Sequence, residues 1–142
     1  LAGFLIGSPP VRVSATSVRS EDRRSVAEDS IVVTLEHGDG SLSTIQYLAH
    51  GSTRLPKERC EVHADGGTAI LDNFRRTTFH GVSRRDVGGA QDKGFDGEIA
   101  AFVKAVRDGG GWPIPWQDLV RTTRVTVAIL ESLREGRPVP IS

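Results

Sequence analysis

Four histidines (His37, His50, His63 and His80) and the single cysteine Cys60 are the residues whose chemistry could build a metal centre. Cys60 and His63 fall in one strand pattern at an odd spacing, so their side chains point to opposite faces. His37 falls in a turn, and no spacing among these residues matches the Cys and His ligands of a zinc site. We therefore expect ordinary surface or edge histidines and no metal-binding residue.

A nucleophilic or phosphate-binding site has no better support. No serine lies in a Gly-x-Ser-x-Gly elbow. Cys60 fits a strand interior as a small hydrophobic residue. The run Gly109–Gly111 resembles a phosphate loop, but it follows a helical pattern instead of opening one, so no helix N-terminus faces it. The sequence predicts no catalytic and no cofactor-binding residue.

Three cations, Lys57, Arg59 and Lys93, are the candidates for substrate binding. Lys57 and Arg59 flank Glu58 at the start of a strand pattern, where they would face a polar substrate or an adjoining domain. The alternative is a solvated sheet face whose exposed ion pairs contribute little. Lys93 falls in the first turn of a predicted helix, where the helix dipole disfavours a cation, and a residue kept against a local preference is a candidate for function.

The elements that must position these cations change type halfway along the chain. Residues 11 to 85 alternate apolar and polar side chains as strands do, with turns at His37–Ser41 and Asp65–Gly67 and a charged loop at Ser20–Asp29. Residues 92 to 135 switch to helical spacing. Asp92 is expected to cap a helix that ends at Gly109, and a second helix runs from about Trp116 to Glu135.

Strands followed by helices indicate an α+β fold, an open and mainly antiparallel sheet with helices packed on one face. On the second helix, we expect the core side to carry Leu119, Thr123, Val127, Leu130 and either Leu133 or Arg134. The other face of the sheet must then meet another domain, a second subunit or water.

Composition narrows the function classes. The chain has 142 residues, which fits one domain, and its 18 basic and 18 acidic residues give a formal charge of zero. That balance offers no electrostatic footprint for nucleic acid or an anionic membrane. The apolar start, Leu1–Ile6, is too short for a membrane span and reads as the end of a longer helix. A single cysteine fits a reducing, cytoplasmic compartment.

Taken in order, several segments resemble the C-terminal domain of the Gfo/Idh/MocA oxidoreductase family. The matching stretches are Phe4–Val11, Glu28–Ile31, Asp39–Ile45, Pro56–Val62, Asp65–Phe74, Asp92–Gly94, Phe102 and Glu131–Val139. The resemblance covers nearly the whole chain. It is closest to a branch in which this domain ends a longer polypeptide beside a zinc-type alcohol dehydrogenase region. Where close relatives often carry His after Lys-Gly, this chain has Phe95.

The resemblance implies that the chain is a fragment whose chemistry lies upstream. An N-terminal Rossmann domain would bind NAD(P), and the family's catalytic lysine and histidine would both precede Leu1. The chain itself would bind no cofactor and would supply the substrate wall and a homo-oligomer interface for a sugar or polyol oxidoreductase, inactive alone. The alternative is a non-catalytic assembly module that self-associates through its open sheet face.

Overall fold

The computed structural model describes residues 1–18 and 29–141. Most of the predicted charged loop, residues 20 to 28, lies outside them. The helices are α1 (Ala2–Ile6), α2 (Phe95–Asp108) and α3 (Trp116–Glu135). The strands are β1 (Pro10–Ser17), β2 (Ser30–His37), β3 (Leu42–Leu48), β4 (Arg59–Ala64), β5 (Gly67–Asp72), β6 (Arg76–His80), β7 (Val87–Gly88) and β8 (Val139–Pro140).

The α+β class and the open antiparallel sheets are confirmed, but the described strands divide into two sheets where one was expected. One sheet has the order β3-β2-β1-β8 and the other β4-β5-β6-β7. The chain correspondingly forms two compact units. Unit 1 contains residues 1–51 and 114–142, and unit 2 contains residues 52–113.

Unit 1 has a closed apolar core between α3 and one face of its sheet. Val13 and Ala15 on β1 pair with Leu35 and Val33 on β2, which places all four side chains on the same face. These side chains and Val139 of β8 are buried, and they form one cluster with Ala128 of α3.

The opposite face of the unit 1 sheet is mainly polar. Arg12 of β1 lies directly across from Glu36 of β2, and their side chains form an ion pair of 2.6 Å. The same face carries hydroxyls and an amide from Ser14, Thr16, Thr34, Thr44 and Gln46, together with the exposed apolar side chains of Val32, Leu42 and Leu48. A face of this composition is compatible with water.

The core side of α3 differs from the predicted one. Val127 is 60% exposed and Leu130 is 41% exposed, so these two large residues point away from the core. The buried positions are Ala128 and Ser132, and Val125 and Ile129 pack against the same cluster. Of the predicted core-side residues, Leu133 also packs against it. Small residues on this row let the helix approach the sheet closely, which a search for large apolar residues does not detect.

Ser132 ties α3 to the edge of β1. Its hydroxyl is fully buried, accepts a hydrogen bond from the Ala15 amide at 3.0 Å and donates one to the Arg137 carbonyl at 2.8 Å. The paired part of β8 reaches β1 only at Arg12 and Val13. The hydroxyl therefore satisfies a strand amide beyond the point where β8 pairs.

Unit 2 consists of two hairpins, the short strand β7 and the helix α2. Its sheet alternates as predicted: Cys60, Val62, Ala69, Leu71 and Phe79 share an apolar face, and Arg59, Glu61, His63, Thr68 and Asp72 share a polar one. The last short strand forms at Val87–Gly88, just beyond the strand-like stretch that was expected to end at residue 85. No residue of α2 is buried, and its apolar row of Phe95, Ile99, Phe102 and Val106 is 51–68% exposed.

Candidate functional site

The three predicted substrate-binding cations all lie in unit 2, and an ion pair joins two of the segments that carry them. The Lys93 ammonium donates to Glu58 Oε1 at 2.8 Å, although 35 residues separate them. Glu58 lies in the chain between Lys57 and Arg59. The structure thus brings the segment before α2 to the start of β4, where the sequence placed the other two cations.

The other two cations differ in their surroundings. Arg59 lies on the polar face of β4, where its Nε and NH2 groups both reach Glu61 Oε1, at 2.8 and 2.7 Å. The hydrogen bond from Arg59 lowers the pKa of Glu61, and the charges of Arg59 and His63 lower it further. Lys57 is exposed and has no hydrogen bond or ion pair within residues 1–18 and 29–141.

The turn between β5 and β6 is held by the segment that precedes α2. The Gln91 side-chain amide donates to both the carbonyl and the Oδ1 of Asn73, each at 3.0 Å. The Asp92 amide donates to the Phe74 carbonyl, and the Gly89 amide donates to the Arg75 carbonyl. Every carbonyl along the tip of this turn is therefore bonded to residues 89–92, which we call the clamp segment.

The clamped turn holds two side-chain-bearing residues in the left-handed region. Asn73 has φ of 49° and Phe74 has φ of 53°. The Arg75 amide donates to the Asp72 carbonyl, which makes Asn73 and Phe74 the two central residues of the turn. Asn tolerates this conformation, but an aromatic residue there costs about 1–2 kcal/mol. Such strain persists only where the surroundings over-determine the backbone, and it concentrates at ligand sites.

A depression of about 260 Å³ lies beside this turn. Its floor is a row of cross-strand neighbours, because Leu71 pairs with Thr77 and Thr77 pairs with Val87. Phe74 and Arg75 line it next to the turn. Its lining combines apolar side chains with arginine.

Asp92 does not cap α2. Helix α2 begins after Gly94, whose φ of 80° is left-handed, and no side chain caps it. The Asp92 carboxylate instead accepts from the Gly94 amide at 2.8 Å, two residues on. This local turn is the usual alternative to capping for an Asp side chain. It encloses Lys93 and therefore constrains the backbone from which the Lys93 side chain extends.

His37 is a buried structural residue, not the surface or turn histidine that was expected. It ends β2, is 3% exposed, and its Nδ1 lies 2.8 Å from the Ser8 carbonyl. Because a carbonyl only accepts, Nδ1 carries the proton. Nε2 lies 3.0 Å from the Ser43 hydroxyl. His37 thereby fastens the segment after α1 to the β2–β3 hairpin.

Within residues 1–18 and 29–141, no group of three His, Cys, Asp or Glu side chains is arranged to hold a metal ion. Cys60 lies half-buried on the apolar face of β4 as a free thiol. No helix of the described chain has the length and apolarity that crossing a membrane requires.

The sequence missed three features of this site: the clamp, the strained turn and the Lys93–Glu58 pair. A signal for the turn was present, since Asp72-Asn73 before a second strand-like run is typical of a turn with positive φ. The turn was not recognised, because its second central position normally holds Gly and here holds Phe74. The Lys93–Glu58 pair has no sequence signal, because it depends on how the hairpin and the clamp segment meet.

The chain as a whole is similar to proteins of one known family. A family profile described as "Oxidoreductase family, C-terminal alpha/beta domain", the Gfo/Idh/MocA family, matches residues 1–141. The comparison with curated protein sequences finds no match.

Solved structures share the fold at low sequence identity. A levoglucosan dehydrogenase in complex with NADH and L-sorbose matches with a TM-score of 0.78 and 16% identity, over 99% of this chain and 47% of its own. An aldose-aldose oxidoreductase from Caulobacter crescentus, complexed with glycerol, matches with a TM-score of 0.77 and 20% identity, over 98% and 43%. An NAD binding oxidoreductase from Klebsiella pneumoniae matches with a TM-score of 0.79 and 18% identity, over 99% and 47%. The chain spans less than half the length of each.

Proposed function

Because this chain belongs to the Gfo/Idh/MocA oxidoreductase family, as its C-terminal alpha/beta domain, we propose that it is the substrate-side domain of an NAD(P)-dependent oxidoreductase acting on a sugar or polyol. The single observation that carries the proposal is the family match over residues 1–141. Two of the solved structures named above, one in complex with NADH and L-sorbose and one with glycerol, support the substrate class. The single cysteine supports a reducing, cytoplasmic location.

In this proposal the two halves of the reaction belong to different domains. A Rossmann domain upstream of Leu1 binds NAD(P) and supplies the catalytic groups, and both units of the present chain act as one domain beside it. The chain contributes no catalytic and no cofactor-binding residue. Its share is to bind and orient the substrate, so the isolated chain is inactive.

Lys57, Arg59 and Lys93 are the proposed substrate-binding residues. A sugar presents many hydroxyl oxygens, and ammonium and guanidinium groups are strong donors to such acceptors. Glu58 holds the Lys93 ammonium in one place at 2.8 Å, which favours an oriented donor over a mobile one. Lys57 lies one residue away from Glu58 and is exposed. Donors held in this way lower the ordering cost of binding.

Two measurements test the proposal. NADH fluorescence titration of the 142-residue chain should give no saturable binding. The polypeptide extended upstream should bind NADH and reduce NAD(P)+ with a panel of sugars and polyols. Saturable NADH binding by the chain alone would contradict the assignment of NAD(P) binding to the upstream domain. An extended polypeptide without NAD(P)-linked turnover would contradict the oxidoreductase role.

The candidate cations can be tested in the same assay. Lys93→Ala should raise KM for the best substrate about tenfold or more, because a charged hydrogen bond is lost. The matched control is Lys104→Ala, which removes another exposed, ion-paired lysine of unit 2, from α2. Equal KM values for the two variants would remove Lys93 from the site.

Self-association through an open sheet face is the second candidate function. The observation that favours it is the apolar face of the unit 2 sheet, where Val62 is 36% exposed. Sedimentation velocity should show a homo-oligomer that Val62→Glu dissociates. His63→Glu, the adjacent residue on the polar face, should leave it intact. A monomeric wild-type chain at high concentration would exclude this role.

A further inference from the structure

The depression beside the clamped turn has a mainly apolar floor. Leu71, Thr77 and Val87 form a continuous row across β5, β6 and β7 on the apolar face of the unit 2 sheet. Phe74 and Ala90 also line it. Its volume of about 260 Å³ lies just below the roughly 300 Å³ at which ligand pockets begin, which restricts an occupant to a single small ring.

One of the residues that line the depression, Arg75, adds a positive charge to it. Within residues 1–18 and 29–141, the Arg75 guanidinium has no hydrogen bond or ion pair. The next residue, Arg76, is different, because its NH2 group binds Asp86 Oδ2 at 3.0 Å. A free guanidinium offers a planar fork of donors that fits a carboxylate through two hydrogen bonds.

The backbone around this cation is held in place before any ligand arrives. Gln91 and the Asp92 amide bind the carbonyls of Asn73 and Phe74, and the Gly89 amide binds the carbonyl of Arg75 itself. Asn73 and Phe74 stay in the left-handed region under these contacts. Strain retained under such a clamp is a feature of ligand sites, and a rigid wall reduces what a ligand must order on binding.

We propose that this depression binds a small carboxylate anion with an apolar body, with Arg75 receiving the carboxylate and the Leu71–Thr77–Val87 row receiving the apolar part. The site goes beyond the proposed function, because it requires neither NAD(P) nor the upstream domain. Charge complementarity selects the occupant, since the guanidinium is the one unpaired charge among the described residues that line the depression.

The test uses benzoate as the anionic probe and benzamide as its neutral counterpart of nearly equal shape. Both are titrated into the 142-residue chain and followed by amide chemical shifts. Benzoate should bind saturably, with shifts centred on Gly88, Gly89 and Ala90, which line the depression. Benzamide should bind at least about tenfold more weakly, because a charge-assisted hydrogen bond is missing.

Arg75→Gln should weaken benzoate binding about tenfold or more, and Arg75→Lys should retain part of the affinity. The matched control is Arg84→Gln, another exposed arginine of unit 2 that lies outside the depression. Unchanged spectra away from the turn verify that each variant folds. Equal binding of benzoate and benzamide, unchanged binding by Arg75→Gln, shifts centred elsewhere or no saturable binding would each overturn the proposal.

Discussion

The two units are built from similar strands but differ in what those strands bury. In unit 1, Val13 and Val33 are at most 1% exposed under α3. In unit 2, the one buried residue among those described is Gly67, and no apolar side chain is buried. Both sheets alternate apolar and polar side chains, so alternation by itself does not create a core. A core also needs a covering element that can approach closely.

The two long helices differ in what they cover. The α3 row that meets the unit 1 sheet contains Ala128 and Ser132, both buried. The apolar row of α2 contains Phe95, Ile99 and Phe102, all at least 51% exposed. Unit 1 therefore draws its stability from a closed core, and unit 2 from paired strands and the clamp segment. We expect unit 2 to open first in hydrogen exchange.

The largest expected effect on the free energy of unfolding comes from truncating a valine in unit 1, compared with the same truncation in unit 2. Val33→Ala empties a site that is 1% exposed and should lower the free energy of unfolding by about 2 kcal/mol. Val62→Ala removes the same two methyl groups where the residue is 36% exposed, so its cost should be well under half of that. Chemical denaturation of both variants measures the pair. Equal losses would contradict the difference in burial between the units.

The next largest effect is expected at Ser132. Ser132→Ala leaves the Ala15 amide and the Arg137 carbonyl without their partner, at a cost of about 1–3 kcal/mol in the free energy of unfolding. Thr126→Ala is the control, since it removes an exposed hydroxyl from the same helix. Hydrogen exchange should also accelerate at the Ala15 amide. A Ser132 variant as stable as the Thr126 variant would show that the hydroxyl does not anchor α3.

A smaller effect tests the strain in unit 2. Phe74→Gly and Phe74→Ala both remove the ring, but only glycine is unstrained at a φ of 53°. The glycine variant should be the more stable by about 1 kcal/mol. Thermal unfolding of the two variants measures the difference, from which the loss of the ring cancels. An alanine variant of equal or greater stability would show that the turn is not strained.

The smallest effect is a pH dependence at Asp86. Hydrogen bonds from the Arg76 guanidinium and the Phe79 amide lower the pKa of this exposed carboxyl. Since its folded pKa lies below the unfolded value of about 3.9, its contribution is present above that pH and lost as the pH falls through the folded pKa. Asp86→Asn should therefore show a slightly shallower acid loss of stability, measured by thermal unfolding.

The control for this variant is Asp65→Asn, a carboxyl of the same unit without a side-chain hydrogen bond or ion pair among the described residues. An identical acid profile for both variants would mean that the Arg76–Asp86 pair contributes nothing in solution.

Several parts of the fold were predictable from local pattern. Helix α3 begins at Trp116 and ends at Glu135 as expected. The strands on either side of Asp65–Gly66 pair as expected, with Cys60 and Val62 on one face. Local preferences and turn residues determine such features, because they act over a few neighbouring positions.

The candidate site was predictable only in part. Lys57 and Arg59 were chosen as charges at the start of a strand pattern, and Lys93 as a cation in the first turn of a helix. The second premise was wrong, because α2 begins only at Phe95 and Lys93 precedes it. The role of all three in substrate binding stays a prediction. The contact between Lys93 and Glu58 could not be predicted from the sequence, since the two residues are 35 positions apart and no motif links them. The difference between Arg75 and Arg76 was also missed, because the two look alike in sequence and, among the described residues, only Arg76 has an acidic partner, Asp86.

By itself, the sequence determined the α+β class, the two hairpins and the long final helix, since each follows from residue periods and turn chemistry that are local. The tertiary structure alone decided that the described strands form two sheets, that Ala128 and Ser132 face the core, and that His37 is buried. These outcomes depend on how closely distant segments approach, and close approach is a property of packing between surfaces that no single stretch of chain encodes.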